Sequence, residues 1–500
     1  MFQLIFKNSF FKISFQLFQA VFGMLLIPYT ISKVGDKHFG IYIFSLSLFN
    51  FNALLDMGLS TSLVKEVASC KNNPLILNEI FKFYFSFYSI IGFIGAIFIA
   101  ISPFMIKPFL SDDYFGDNTL YIIVLILSVQ LLFNFCSNVF YGFLNAYEKM
   151  VTTSLVNSIS VFGNYLTTFI LLYFNFGVIS IVLSIVVWNM ISKIVLIYSF
   201  KSYFKNIEIV FCLKSIGLFK QRLKFNSVIF ICQISDMIVR MSDQIFIGIF
   251  YPIGITKYEI GLRLNQYSRI ALEQFISSIF PSLASKSDDE SSIKQIIILG
   301  TKYSFMMYTP LYIGIISFGF YFIKAWLGED YSYGSYLVLV LLSSSTYIHT
   351  FDSITQWHCI SKGQLKGFVP ANIIGAVVNI ILCICLVNSW LNIYGIALAS
   401  VLTYVFIGIP FGISLRKASN IKLSEIIYQS WLPCFVPALG IILPGWLYYQ
   451  FIQQGIINNG FLIMIPFIIF SIILYGIIFI FLPYNKREKH FLFSKVGFYK

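Results

Sequence analysis

The sequence is short of charge. Only 11% of its 500 residues are Asp, Glu, Lys or Arg, whereas 58% are hydrophobic. A soluble domain carries roughly a quarter of charged residues, because its surface faces water. This chain has too little charge to cover such a surface, which excludes a soluble enzyme or a soluble binding module. The composition therefore predicts a membrane protein.

The sequence also lacks the motifs that are typical of disulfide or metal sites, of ATP hydrolysis and of serine hydrolases. The eight cysteines form no CxxC pair and mostly lie in apolar stretches, so we interpret them as core residues rather than disulfide partners or metal ligands. The sequence has no Walker-type Gly-rich loop and no Ser-His-Asp order. We therefore expect a transporter rather than an enzyme, with no cofactor and no metal site. An ion gradient or consumption of the product would drive transport.

Long apolar stretches are what the sequence does contain. A helix that crosses the hydrocarbon core needs about 20 mostly apolar residues. Fourteen stretches meet this requirement, near residues 10–32, 39–63, 80–102, 119–145, 152–174, 177–199, 225–250, 258–284, 296–323, 335–358, 367–388, 393–415, 428–449 and 460–482. We predict an all-α polytopic membrane protein with about 14 transmembrane helices. The first stretch lacks a signal-peptide cleavage pattern, so we expect it to remain a helix.

Lys and Arg are distributed unevenly over the predicted loops. With the N-terminus inside, the cytoplasmic segments carry 24 of these residues and the outside loops carry 5. Cytoplasmic loops of membrane proteins are rich in Lys and Arg, so both termini are predicted to be cytoplasmic. The net charge of +13 is then explained by orientation and by contact with anionic lipid headgroups. A nucleic-acid partner is not expected.

The two halves of the chain show signs of an internal repeat. Asn157 and Asn164 in the fifth span have counterparts 215 residues later in Asn372 and Asn379, and each pair lies on one helix face. Such repeats are typical of secondary transporters, in which the substrate path lies between the two lobes. We predict an N-terminal six-helix lobe, a cytoplasmic linker, a C-terminal six-helix lobe, and two additional helices with a cytoplasmic tail, at residues 1–200, 201–224, 225–415 and 416–500.

Short motifs in both halves resemble those of a known family. Gly35, Phe39–Tyr42 and Asp56–Leu59 are similar to the G…(F/Y)G-x-Y…D-x-G opening of bacterial polysaccharide exporters. The segment Asp243–Gly248, with Gly254 after it, looks similar in the second half. These exporters are the O-antigen flippases (Wzx-type) of the MOP superfamily, relatives of the MATE drug antiporters. Many members have twelve spans, so the last two spans predicted here would lie outside the repeat.

The resemblance implies a flippase of the bacterial inner membrane. It would move an undecaprenyl-pyrophosphate-linked oligosaccharide, such as an O-antigen unit for lipopolysaccharide, from the cytoplasmic to the periplasmic leaflet by alternating access. Its partners would be this lipid-linked oligosaccharide, membrane lipids, a polysaccharide polymerase and a chain-length regulator. The alternatives are a MATE-like ion-coupled efflux antiporter and a membrane-embedded glycan polymerase. The polymerase is disfavoured because the longest polar stretch lies on the predicted cytoplasmic side.

Polar residues inside the predicted spans are the candidates for function, because charges in the membrane usually face a bundle interior. The candidates for a substrate-binding cavity are Arg240, Asp243, Asp236, Arg263, Arg269, Lys193, Asp56, Asn157 and Asn372. The candidates for proton coupling are His349, Asp352 and Glu273.

A structural role is the alternative interpretation of these residues. Arg269 and Glu273 stand at i and i+4 and are placed to form an ion pair. Buried Asn side chains often bond to a neighbouring helix. The spans contain five positive and five negative side chains, so the sequence by itself indicates no cationic cavity. The resemblance implies one, in which Arg240 would bind pyrophosphate with its planar guanidinium group.

Overall fold

The computed structural model describes residues 2–56, 58–71, 73–212, 234–235, 237–239, 241–285, 290–361, 368–418 and 420–482. All regular structure in these ranges is helical, and they contain no strand. The expected all-α class is confirmed. The chain packs as two compact units, Met1–Thr256 and Lys257–Lys500. The predicted segment boundaries and the superposition of the two halves stay predictions.

The first unit is built from long helices and short connections. Its described helices are α1 (Phe2–Asn50), α2 (Leu59–Ser69), α3 (Pro74–Ile106), α4 (Asp112–Phe115), α5 (Thr119–Ala146), α6 (Met150–Tyr173), α7 (Val178–Tyr203) and α8 (Met241–Phe250). Helix α1 changes direction at Gly35, where φ is 79°. A side chain would be strained at this angle, so glycine allows the first two predicted spans to follow each other without a loop.

The core of the first unit is aromatic. Helix α3 contributes Phe81, whose ring lies 5.6 Å from that of Phe140 and 5.5 Å from that of Phe143, both on α5. Helix α7 contributes Phe200, whose ring lies 5.0 Å from that of Phe140. All four side chains are buried. Aromatic pairs at these distances stabilise packing beyond the burial of their area, so α3, α5 and α7 form one bundle.

The second unit contains the remaining described helices. These are α9 (Ile255–Ser285), α10 (Glu290–Leu327), α11 (Glu329–Thr350), α12 (Ser353–Ser361), α13 (Phe368–Val387), α14 (Asn392–Thr403), α15 (Ile409–Ala418), α16 (Leu423–Ile426), α17 (Leu432–Ala438), α18 (Ile442–Gln453) and α19 (Phe461–Phe481). A π-helical turn at Tyr404–Gly408 connects α14 to α15, and another at Ile427–Trp431 connects α16 to α17.

Helix α10 holds the C-terminal helices along one of its faces. Lys294 pairs with Glu425 at 2.7 Å, and the Ser430 hydroxyl donates to the Ile298 carbonyl at 2.8 Å. Further along, the Tyr475 hydroxyl donates to the Met306 carbonyl at 3.2 Å. These positions on α10 are separated by multiples of four residues, so they share one face. Helices α16 to α19 are therefore an integral part of the second unit.

Ten helices in the described part of the chain are long and apolar enough to cross a membrane. The protein is therefore a multi-pass membrane protein, but this number is smaller than the expected 14. The predicted span 10–32 and residues 39–50 of the next one both lie in α1, on either side of the non-helical Gly35, and this stretch is counted as one helix. Of the predicted span 225–250, the structure describes a continuous helix only from Met241 to Phe250.

The other two differences arise from polarity. The predicted spans 258–284 and 335–358 correspond to α9 and to α11 with α12, which are not among the ten apolar helices. Helix α9 has 31 residues and is about 46 Å long at 1.5 Å per residue, so length does not exclude it. Its composition keeps it out of the apolar set, because it carries five charged residues, Lys257, Glu259, Arg263, Arg269 and Glu273.

Candidate functional site

The first unit contains a polar cavity. Its volume is about 400 Å³, and it lies among α2, α5, α6 and α7. Its wall is formed by Ser60, Val64, Asn138, Tyr141, Gly142, Asn145, Asn157 and Lys193. Three amides, two hydroxyls and one ammonium group thus line the space together with apolar groups. Pockets for small ligands have volumes of a few hundred Å³ and place a few polar groups in this way.

The helices of the wall present these groups by their periodicity. On α5, Asn138, Tyr141 and Asn145 stand at i, i+3 and i+7, and therefore on one face. Gly142 follows on the same helix, and a Cβ atom there would lie 2.3 Å from Cδ2 of Leu63 on α2. Glycine at this position allows α2 to approach α5. The close approach brings α2 into the wall of the cavity.

Lys193 is the cation of the cavity. Its Nζ lies 4.9 Å from the centroid of the Tyr141 ring. The hydroxyl of Tyr141 in turn donates to Oδ1 of Asn157 at 2.6 Å. In the ranges that the structure describes, no carboxylate pairs with the ammonium group of Lys193. A cation within a membrane helix is costly without an anion or water, so this position is suited to an anionic ligand.

Asp56 lies behind the wall of the same cavity. Its Oδ1 accepts hydrogen bonds from the Ser60 hydroxyl at 2.6 Å and from the buried Tyr88 hydroxyl at 2.8 Å. Ser60 is itself a wall residue. The carboxylate is therefore connected to the cavity through one side chain, and its hydrogen bonds fix the orientation of that side chain.

Three of the predicted site residues thus come together in the first unit, namely Lys193, Asn157 and Asp56. Tyr141 was not among the predicted site residues, although its side chain contacts both Lys193 and Asn157. Asn138 and Asn145 were not predicted either. The seven-residue spacing of these two asparagines within an apolar span is the sequence pattern from which this polar helix face could have been predicted.

Three of the predicted site residues on α9 take part in ion pairs along that helix. Arg269 pairs with Glu273 at 2.5 Å, as their spacing of four residues indicated, and Arg263 pairs with Glu259. Both pairs lie along α9, where they reduce the cost of the charges. The roles predicted for these residues in substrate binding and proton coupling stay predictions.

The candidates for proton coupling have partners of their own. Asp352 lies between α11 and α12 and pairs with Arg416 on α15, and both side chains are buried. His349 contacts the amide oxygen of Gln356 through Nε2 at 3.2 Å. A Cβ atom at Gly412 would overlap the carboxylate of Asp352, so glycine makes room for this buried pair. The proton-coupling roles stay predictions.

Two of the remaining predicted residues lie on the described helices α8 and α13. Asp243 is 3% exposed on α8, and Asn372 is half-buried on α13. Asn379, on the same helix as Asn372, is fully buried and donates to Oγ1 of Thr403 at 3.3 Å. Asp236 and Arg240 lie outside the described residues, so the roles predicted for them stay predictions. Among the described residues, no group of His, Cys, Asp and Glu is placed to hold a metal ion.

Comparison with known proteins identifies the family. Residues 34–335 match the family model described as polysaccharide biosynthesis protein, which is more than half of the chain. A curated relative is the probable low-salt glycan biosynthesis flippase Agl15 of Haloferax volcanii. It is 25% identical over 165 residues, which are 32% of this chain and 34% of that protein. The chain thus spans about a third of the length of this relative.

Solved structures share the fold over most of the chain. The lipid II flippase MurJ in an inward closed conformation has a TM-score of 0.74 and 17% identity, and the match covers 94% of this chain and 97% of that one. An inward-facing multidrug resistance MATE transporter of the MOP superfamily has a TM-score of 0.65 and 12% identity, with 84% and 99% covered. The chain therefore belongs to the family of polysaccharide biosynthesis proteins, and it shares its fold with transporters of the MOP superfamily.

Proposed function

We propose that the protein is a flippase for a lipid-linked oligosaccharide. It would move an undecaprenyl-pyrophosphate-linked glycan, such as an O-antigen unit, from the cytoplasmic to the periplasmic leaflet of the bacterial inner membrane. The observation that carries this proposal is the cavity of the first unit, in which amides and hydroxyls surround the ammonium group of Lys193. The family membership and two similar proteins that are named flippases support it.

The chemistry of the cavity fits a glycan headgroup with a negative charge. Sugar hydroxyls both donate and accept hydrogen bonds, and so do the side chains of Asn138, Asn145 and Ser60. Hydrocarbon offers no such partners, and each polar group that loses its hydrogen bonds there costs several kcal/mol. A polar cavity inside a membrane bundle removes this cost for the part of the headgroup that enters it.

Lys193 would bind the anionic group of the substrate. The Nζ of Lys193 lies 4.9 Å from the centroid of the Tyr141 ring, which favours the position of its ammonium group. The hydrogen bond from Tyr141 to Asn157 holds the ring in turn. The anion therefore meets a cation that is already positioned, which lowers the entropic cost of binding. The prenyl chain would stay in the lipid while the headgroup passes between two alternating conformations.

A genetic experiment with three variants tests the proposal. Deletion of the gene should trap lipid-linked repeat units on the cytoplasmic leaflet and remove the surface polysaccharide. Lys193→Met should fail to restore it, whereas Lys193→Arg, which keeps the charge, should restore part of it. A charge-assisted hydrogen bond contributes about 1.5–3 kcal/mol, so export by Lys193→Met should fall by about 10- to 100-fold.

The control is Lys201→Met on the same helix. Lys201 is exposed and does not line the cavity, so its loss changes the net charge equally. Membrane levels of each variant are compared by blot, and surface glycan is measured on a gel. Equal export by Lys193→Met and Lys201→Met would remove Lys193 from the substrate site.

A second candidate function is MATE-like efflux of small molecules. It is favoured by the fold likeness to a multidrug resistance transporter, which covers 84% of this chain. The deletion strain distinguishes the two candidates. Normal surface glycan together with increased drug sensitivity would support efflux and contradict the flippase.

A further inference from the structure

Two lysines at one end of the first unit lie over tyrosine rings. The Nζ of Lys71 is 5.3 Å from the centroid of the Tyr147 ring, and the Nζ of Lys149 is 4.7 Å from that of Tyr203. The rings of Tyr147 and Phe204 are in edge contact at 4.8 Å. Because Phe204 follows Tyr203, the two pairs form one array. We call these five residues the Lys–Tyr rim.

The backbone holds the rim in place. The chain turns between α5 and α6 at Glu148, where φ is 60°, and the N–H of Lys149 donates to the Leu144 carbonyl at 2.9 Å. The hydroxyl of Tyr147 donates to the Lys71 carbonyl at 3.1 Å, which ties the end of α2 to this turn. Burial raises the pKa of Tyr147, so the phenol keeps the proton that it donates. The two ammonium groups are therefore presented by a structure that is already ordered.

The charges of the rim are not neutralised within the described part of the chain. Lys71 and Lys149 are exposed, and neither pairs with a carboxylate there, although exposed Glu148 is adjacent to Lys149 in sequence. Cations near helix C-termini also stabilise the helix dipoles, and α2, α5 and α7 all end here. That role requires proximity to the terminal carbonyls but no aromatic ring. The position of both ammonium groups over tyrosine rings is therefore not explained by the helix dipoles and indicates a binding role.

The surroundings of the rim are those of a membrane surface. Helices α5 and α7 are among the helices that are able to cross the membrane, and both end at the rim. Tyrosine and lysine are typical of the level of the lipid headgroups. Towards the middle of α7, the side chains of Tyr198 and Ile194 are 78% and 67% exposed. This exposed surface is suited to acyl chains, and it belongs to the helix that ends at the rim.

We propose that the Lys–Tyr rim binds the phosphate headgroup of an anionic phospholipid. The two ammonium groups neutralise the phosphate, while the acyl chains lie along the exposed apolar side chains of α7. The tyrosine rings hold the lysines in place and reduce their hydration, which favours the exchange of water for phosphate. This site is separate from the polar cavity, and it does not depend on the proposed transport function.

A lipid titration of the full-length protein in neutral detergent tests this proposal. Phosphatidylglycerol is added, bound lipid is counted by native mass spectrometry, and the melting temperature is followed in parallel. A hydrogen bond to a charged group contributes about 1.5–3 kcal/mol, so Lys71→Gln with Lys149→Gln should weaken binding by at least about tenfold. Phosphatidylcholine, whose headgroup has no net charge, should bind the wild-type protein weakly and without this dependence.

The matched control removes two other lysines from the same end of the unit. Lys201 and Lys205 are exposed, and no aromatic ring lies under either of them in the described residues. Replacement of both by Gln should leave binding of phosphatidylglycerol close to that of the wild type, because neither lysine belongs to the rim. An equal loss in the two double variants would show diffuse attraction by charge and overturn the proposal.

Two further arms test the identity of the ligand and the role of the ring. Inorganic phosphate at the same concentration should not displace the lipid, and displacement would instead indicate a site for free anions. Tyr203→Leu keeps both charges but removes one ring, and it should weaken binding by about threefold. Unchanged binding by this variant would contradict the role of the rings. The melting temperature without lipid reports whether each variant is folded.

Discussion

Pro310 and Tyr475 allow a sharp test of how the second unit is held together. Proline has no N–H, so the Met306 carbonyl, four residues earlier on α10, lacks the usual donor of an α-helix. The hydroxyl of Tyr475 on α19 donates to this carbonyl at 3.2 Å. Tyr475 is 8% exposed, so its ring packs like a core residue. Tyr475→Phe therefore removes the hydrogen bond and keeps the packing.

The magnitude follows from the environment of the bond. Side-chain hydrogen bonds between membrane helices contribute about 0.6 kcal/mol on average and up to about 1.7 kcal/mol. A carbonyl that is left without any partner adds to this cost, because about 1–3 kcal/mol is typical of a buried unsatisfied group. We expect Tyr475→Phe to lower the free energy of unfolding by about 1–2 kcal/mol.

The decisive control is the same substitution in a Pro310→Ala background. The alanine introduced there has an N–H that can bond to the Met306 carbonyl, so the hydroxyl of Tyr475 is no longer needed. Tyr475→Phe should then cost less than about 0.5 kcal/mol. Unfolding of the purified protein is followed by denaturant titration in detergent for the four variants of this cycle. Equal costs of Tyr475→Phe in the two backgrounds would refute the reasoning.

Three further predictions concern topology, substrate binding and pH. Alkaline phosphatase fused after residue 215 should be inactive, and fused after residue 330 it should be active; the reverse pattern would overturn the orientation derived from Lys and Arg. Arg240→Lys should reach the membrane but fail to restore surface glycan, since a single ammonium cannot replace a two-pronged guanidinium; near-normal glycan would leave Arg240 a structural role. The pKa of Glu208 is lowered by the hydrogen bond and charge of Lys82. This pair stabilises the folded state above the ordinary Glu pKa of 4.5, and the stabilisation is lost as the pH falls through the lower pKa of Glu208 in the folded state. The difference in melting temperature between wild type and Glu208→Gln should therefore shrink below pH 4.5. A constant difference across this range would show that the pair does not contribute.

Much of the fold could be predicted because it depends on local composition. A shortage of charge and repeated apolar stretches are sufficient for a membrane bundle, since lipid requires each helix to satisfy its own backbone. The pair of Arg269 and Glu273 was also predictable, because residues at i and i+4 on a helix are neighbours whatever surrounds them. The number of spans was harder to predict, because α9 is long enough to cross the membrane but carries five charged residues.

The candidate site was decided by tertiary structure. Asp56, Asn157 and Lys193 come from three separate segments of the chain, and only the packing of α2, α5, α6 and α7 brings them to one cavity. Asp352 shows the same limit, since its partner Arg416 is 64 residues away and no local spacing indicates the pair. The sequence by itself determined which polar side chains lie within apolar helices. Which of them meet depends on how helices that are distant in sequence pack, and close approaches such as that of Gly142 to Leu63 are set by side-chain shape rather than by composition.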